Sequence, residues 1–337
     1  MVELEKVRSS NKQVSTVLPP GLVAVYVGAT SGIGELAMKA LVKHSVQPRV
    51  YFVGRSQKAA DRITSELKAL NSAGEYIFIQ ADISLITGVD KVCQQIKARE
   101  TAINLLVQSQ GSMDMSTITS EKLRFSISLV HYSRARFIAN LLPLIQESTG
   151  IRRVVSVLAG TKEGNVHVDD IQGWNIPLMS MRGHLATLVT LTMAHFAEHA
   201  PTVSFVHDFP GHVRSNFGRE MKGVLKALGK VYQVVSPLFS TPGEEVGERH
   251  LFYSTSNRYP ARSRNPNVVV PLPIGVPVAK GFDGKLGSGV YSVDGGGDEC
   301  GPSVVALLGD LCQKGTVEEV WKDVAGEFIR ITGVEAI

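Results

Sequence analysis

The residues best suited to chemistry stand early in the chain, in the run Gly28-Ala29-Thr30-Ser31-Gly32-Ile33-Gly34. Glycines at this spacing, between an apolar run and a helical pattern, suit a cradle for a dinucleotide. Gly28 permits a tight turn, Gly32 lets a pyrophosphate approach the backbone, and Gly34 lets the helix lie against the sheet. The following helix turns its N–H groups and partial positive charge toward the phosphates, with Thr30, Ser31 and Ile33 around them. A purely structural turn is the alternative, but a strand before and a helix behind are the context that binding requires. Arg55 follows the second apolar run, in Gly54-Arg55-Ser56. An acid at that place suits the ribose 2′-hydroxyl of NAD, whereas an arginine suits a 2′-phosphate, so Arg55 points to NADP. The plain alternative is an exposed surface arginine.

Proton transfer needs other groups. His131 and Tyr132 lie on a long helical pattern after the fourth strand, His207 ends the sixth strand, and His212 follows Pro210-Gly211. Imidazole titrates near neutrality, and open α/β sheets bind ligands at the carboxyl ends of their strands. These four residues are therefore the candidate catalytic groups, each weighed against a packed polar residue with an ordinary partner. His195 and His199 are one helical turn apart, a metal-ligand spacing. No third ligand accompanies them, so they read as surface or interface residues and no metal is expected. Met179 and Met181 could line an apolar pocket or simply fill gaps.

The elements that would position these residues alternate regularly. Apolar runs at 22–27, 49–53, 76–80, 103–107, 153–158, 202–207 and 289–294 read as strands. Helical patterns at 35–44, 57–70, 88–99, 121–146, 181–198, 221–235 and 244–254 fall between them. The continuous apolar strands imply a doubly wound α/β fold with a parallel sheet. Residues 1–19 form an N-terminal arm, 20–297 a dinucleotide-binding body with an irregular Pro/Gly-rich excursion at 257–288, and 298–337 a helical extension. In that extension Thr316 and Glu319 read as a capping box. The stripe Val317, Val320, Trp321, Val324, Phe328 and Ile331 requires a surface to dock on.

The chain resembles the short-chain dehydrogenase/reductase family over residues 20–297. The GATSGIG turn matches the family's TGxxxGIG, with Val27 at its Thr. Ala81-Asp82-Ile83 matches the adenine-contacting Asp, and Gln108-Ser109-Gln110-Gly111 stands where the family has NNAG. Pro210-Gly211-His212-Val213-Arg214-Ser215 matches PGxVxT beside the nicotinamide, and Asp294-Gly295-Gly296 matches the DGG after the last strand. The resemblance implies that Asp82, Ile83, Ser109, Gly111, Pro210, Gly211, Val213 and Ser215 join the glycine turn and Arg55 around NADP. It also implies a small-molecule substrate and a homo-oligomer built through the long helices. The HYSR and VSVLAG segments look most like a fungal subgroup associated with secondary metabolism.

The family's catalytic residues are absent. Its Tyr and Lys, four apart, should fall within Asn175–Ala186, which reads NIPLMSMRGHLA. The Ser position falls at Ala159 or Val157, and the Asn position near Val130-His131. The leading expectation is an NADP(H)-binding oxidoreductase acting on a small apolar carbonyl or enone metabolite with non-standard catalytic residues. The alternatives are a non-redox cyclase, isomerase or pericyclase on the same fold, or a catalytically silent pseudoenzyme.

Composition narrows the rest. The net charge of +4 over 337 residues is too small for a nucleic-acid protein. No apolar run approaches the roughly 20 residues of a membrane span. The three cysteines are too few for a disulfide framework, so a reducing cytoplasmic setting is expected.

Overall fold

The computed structural model describes residues 1–211, 213, 240–263 and 269–337. Seven strands form one parallel sheet in the order β3-β2-β1-β4-β5-β6-β7. They are β1 (Val23–Val27), β2 (Arg49–Gly54), β3 (Glu75–Gln80), β4 (Leu105–Gln108), β5 (Arg153–Val157), β6 (Ser204–Asp208) and β7 (Val290–Val293). Every residue of β1, β4, β5, β6 and β7 is buried. Helices cover both faces, so these strands read as unbroken apolar runs rather than alternating ones.

On one face lie α3 (Gly32–His44), α4 (Gln57–Leu70) and α9 (Gly243–Thr255). The N-terminal arm joins this face as α1 (Leu4–Asn11) and α2 (Val14–Val17), with Val7, Val14 and Leu18 buried in the shared core. On the other face lie α5 (Ile86–Lys97), α6 (Phe125–Ile127), α7 (Ser133–Gln146) and α8 (Leu178–His199). Between α6 and α7 one turn, Ser128–Tyr132, widens so that the Ser133 N–H reaches back to the Ser128 carbonyl. Such widened turns insert a residue and rotate the side chains that follow. The long pattern expected from residue 121 therefore begins at Phe125 and is interrupted.

Two helices follow the sheet where one well-marked helix was expected: α10 (Pro302–Gln313) and α11 (Thr316–Thr332). The Thr316–Glu319 capping box does not form. Gly315, at φ 78°, takes the cap position, and Thr316 is buried. The apolar stripe of α11 docks on α8 and α5. Trp321 stacks on His195 at 4.3 Å between ring centroids, the Tyr132 hydroxyl donates to Asp323 at 2.7 Å, and Arg136 lies over the Phe328 ring. Within 257–288 the described residues form only isolated bridges, as the Pro/Gly content suggested. The helix expected at 221–235 lies outside the described residues.

Candidate active site

The strand order reverses direction between β1 and β4, and the loops leaving these two strands diverge there. A cavity of about 700 Å³ opens at this point, the place where open α/β sheets bind ligands. Gly28, Thr30, Ser31, Gly32 and Ile33 line it after β1, Gly54 and Arg55 after β2, Asp82 and Ile83 after β3, and Ser109 and Gly111 after β4. Pro210, Gly211 and Val213 close it after β6. Gly34 lies just behind the lining. His212 and Ser215 lie outside the described residues.

The cradle fits a dinucleotide on two local tests. Gly28 sits at φ +77°, and a Cβ there would come 2.6 Å from the Gln110 backbone nitrogen. A Cβ on Gly34 would come 2.2 Å from the Ser109 hydroxyl, so only glycine lets α3 pack this close to the end of β4. The Gln110 side chain lines the same space, is 4% exposed, and has no hydrogen-bond partner among the described residues on either amide atom. A buried amide of this kind is costly unless a ligand meets it.

At one end of the cavity Arg55 is exposed, and Arg62 lines the wall beside it. Arg62 is balanced by Glu35 at 2.9 Å and Glu66 at 2.9 Å. Burial pushes the Glu35 carboxyl up, but its contacts with Arg62 and Lys39 outweigh this and hold it below the usual range. Asp82 accepts from the Ser84 backbone at 3.0 Å and from its hydroxyl at 2.7 Å, which fixes the turn after β3.

The other end is apolar: Met113, Met115, Phe125, Leu129, Leu178, Met181, Leu185 and Phe209 line it. Helix α8 presents Leu178, Met181, Arg182 and Leu185 to this end, so the one-turn pair of the missing Tyr/Lys window is Leu178 with Arg182. Arg182 was not singled out from sequence, although it is the only cation in NIPLMSMRGHLA. Val157 and Ala159 line the cavity, whereas Ser156 points away and accepts from Arg134. Arg134 also escaped the sequence reading. It is 3% exposed and donates to the carbonyls of Gln108 (3.2 Å), Gln110 (2.5 Å) and Val157 (3.0 Å) as well as to Ser156. One guanidinium thus ties the ends of β4 and β5 together beneath the cavity. Burial without a bonded carboxylate lowers its pKa to about 9, partly offset by Asp208.

Of the candidate proton donors, the three described ones, His131, Tyr132 and His207, do not line the cavity. His131 sits in the widened turn, 1% exposed, beside a small interior void with Gln108, Arg134 and Thr192. Neither of its nitrogens has a partner among the described residues. Burial lowers its pKa to about 3, so it stays neutral and cannot act as an acid near pH 7. Tyr132 faces the other way, onto Asp323 of α11. His207 is fully buried: its Nε2 accepts the Ala159 N–H at 3.2 Å. A backbone N–H can only donate, so the proton is on Nδ1, which lies 2.8 Å from the Thr190 hydroxyl. Thr190 and Ser292 both donate to Glu163, at 2.8 and 2.6 Å. Burial pushes the Glu163 carboxyl up, but these contacts, His207 foremost, hold it below the usual range. His207 was expected at the mouth of the site. Instead it braces the loop after β5 from behind, because strand side chains alternate and this one points toward α8. Asp208 points to the opposite face, 3.1 Å from His250 of α9.

His195 and His199 lie side by side on α8, with His195 stacked on Trp321. Among the described residues no group of three His, Cys, Asp or Glu could hold a metal, and all three cysteines are unpaired. No helix among them is long and apolar enough to cross a membrane.

Residues 22–166 match the family model described as short chain dehydrogenase. The chain is 37% identical over 306 residues to oxidoreductase AN1596 of Emericella nidulans, covering 88% of this chain and 90% of that protein. It is 32% identical to oxidoreductase andH of Emericella variicolor, covering 99% of this chain and 98% of that one. Among solved structures, the RhlG/NADP active-site complex of Pseudomonas aeruginosa superposes with a TM-score of 0.52 at 17% identity, over 76% of this chain and 96% of that one. With the glycine turn, the sheet order and the end-to-end likeness to these fungal oxidoreductases in agreement, the chain belongs to the short-chain dehydrogenase/reductase family.

Proposed function

We propose that the protein is an NADP(H)-dependent reductase or dehydrogenase that acts on a small apolar carbonyl or enone metabolite without the family's Tyr and Lys. One observation carries this reading: a single cavity runs from the glycine cradle and Arg55 to an apolar end. Glycine turn, Asp82, Ser109, Gly111 and the Pro210–Val213 segment would hold the dinucleotide, with Arg55 at the 2′-phosphate. The nicotinamide, when bound, supplies or accepts the hydride. The chain's own groups orient the reactants: Met113, Met115, Phe125, Leu129 and Met181 form apolar walls. Arg134 is a fixed positive charge below them, suited to steadying negative charge that develops on a substrate oxygen. Residues 20–297 are the cofactor-binding body in this reading, and 1–19 and 298–337 are buttresses. A homo-oligomer would use a face other than the one α11 covers, and a cytoplasmic setting suits the free thiols.

Titration with NADPH and NADH tests the binding half. NADPH should bind at least tenfold more tightly, and Arg55→Ala should erase the difference. No binding of either would refute the reading. Consumption of NADPH with a panel of ketones and enones tests the chemistry. A second reading, a non-redox cyclase or isomerase, is favoured by the apolar Leu178, Met181 and Leu185 where a Tyr/Lys pair would face the cavity. A product of unchanged mass, formed without nicotinamide, would decide for it.

A further inference from the structure

We propose that the substrate carries an anionic group, a carboxylate or its equivalent, which Arg182 and Lys162 bind across the ring of Phe209. The inference rests on the cavity being the substrate site, as proposed above, and adds the charge class of what enters it.

Phe209 and Arg182 both line the apolar end. The Arg182 guanidinium lies 5.3 Å from the Phe209 ring centroid and the Lys162 ammonium 5.5 Å from it. Two different elements thus bring two like charges to one aromatic ring at the edge of the cavity. Arg182 comes from the second turn of α8, and Lys162 from the turn closed by its N–H to the Ala159 carbonyl at 3.1 Å. The two segments are locked together: the Gly164 N–H donates to the Gly183 carbonyl at 3.2 Å. Two cations at one ring add their charge at this edge of the cavity, and an anion entering there is drawn by both.

Among the described residues the nearby acids do not provide that anion. Glu163, next in sequence to Lys162, turns into the core toward His207, Thr190 and Ser292. Asp170 is occupied by the backbone N–H groups of Trp174 and Asn175, both at 2.8 Å. Among the described residues neither Lys162 nor Arg182 forms an ion pair. Neither sits inside the glycine cradle or near Arg55, so their charge is placed for the other end of the cavity. An aromatic ring with two cations against it, bordering a methionine- and leucine-lined space, suits an apolar body that ends in a carboxylate.

The test measures binding of decanoate and 4-phenylbutyrate, each against its methyl ester, by calorimetry on the full chain saturated with NADPH. NADPH affinity is measured separately on wild type and on the Lys162→Gln/Arg182→Gln double variant. The acids should bind wild type at least tenfold more tightly than the esters and lose that advantage as salt is raised. In the double variant acid and ester should bind within twofold of each other, with NADPH affinity unchanged. Equal affinity for acid and ester in wild type, no binding of either acid, or selectivity that survives the double substitution would overturn the proposal. A fall in NADPH affinity instead would assign Arg182 to the cofactor and also overturn it. Failure of wild type to bind NADPH at all would strike the reading beneath it, a separate result.

Discussion

Replacing His131 with leucine should make the protein more resistant to acid. The imidazole is 1% exposed and lacks a partner among the described residues on either nitrogen, and burial lowers its pKa to about 3. In the unfolded chain the same group titrates near the ordinary value of about 6.5. A base held below its unfolded pKa gives its full contribution to stability above that value and loses it as the pH falls toward the folded one. At pH 5 the unfolded state gains a proton that the folded state refuses, which costs wild type about 2 kcal/mol relative to pH 8. His131→Leu removes that cost and also two buried polar atoms. Urea unfolding of both proteins at pH 8 and pH 5 would measure it. The variant should be at least as stable at pH 8, and its advantage should grow by about 2 kcal/mol at pH 5. A gap that stays constant between the two pH values would refute the reasoning. A loss of turnover at full stability would return His131 to the catalytic candidates.

Gly28→Ala places a methyl group 2.6 Å from the Gln110 nitrogen at φ +77°. It should cost about 1–3 kcal/mol in thermal or urea unfolding and weaken NADPH binding more than tenfold in titration. Asp90→Ala should be harsher. Asp90 accepts from Arg136 at 2.6 and 2.8 Å and from Asn140 at 2.8 Å, and Arg136 is fully buried. Stranding that charge should cost about 3–5 kcal/mol, and Asp90→Leu/Arg136→Met should recover much of it in the same unfolding assay. Glu163→Gln weakens the acceptor shared by Thr190 and Ser292. It should lower stability by about 1–3 kcal/mol, and a change in NADPH affinity larger than twofold would contradict its place behind the loop.

The sheet was legible because its central strands are buried on both faces and therefore read as runs such as Val23–Val27, with a helical period following. The glycine turn was legible for the same kind of reason: its residue types answer a backbone demand that is local in sequence. The polar interior was not. His207 and Asp208 are neighbours, yet one meets Thr190 and the other His250 on opposite faces. The partner of a strand side chain depends on which helix covers that face, and a strand-end position alone does not give it. Arg134 was hidden because, Ser156 apart, its acceptors are backbone carbonyls at the ends of β4 and β5, which leave no mark in the sequence. The capping box at Thr316 misled because α10 ends only three residues earlier. Gly315 at positive φ makes the sharp reversal, and that fixes the start of α11.

Helix α11 lies across α8 and α5 and is tethered to them through the chain itself. A face covered by a separate subunit is covered only while the protein is concentrated enough to associate, whereas a tethered cover acts at an effective concentration set by its linker. The linkage from β7 through α10 is short, so Trp321 and Phe328 meet their partners at every dilution. The burial of Trp321 and Phe328 in the folded protein should therefore stay the same on dilution, a property that a face completed by another chain would lack.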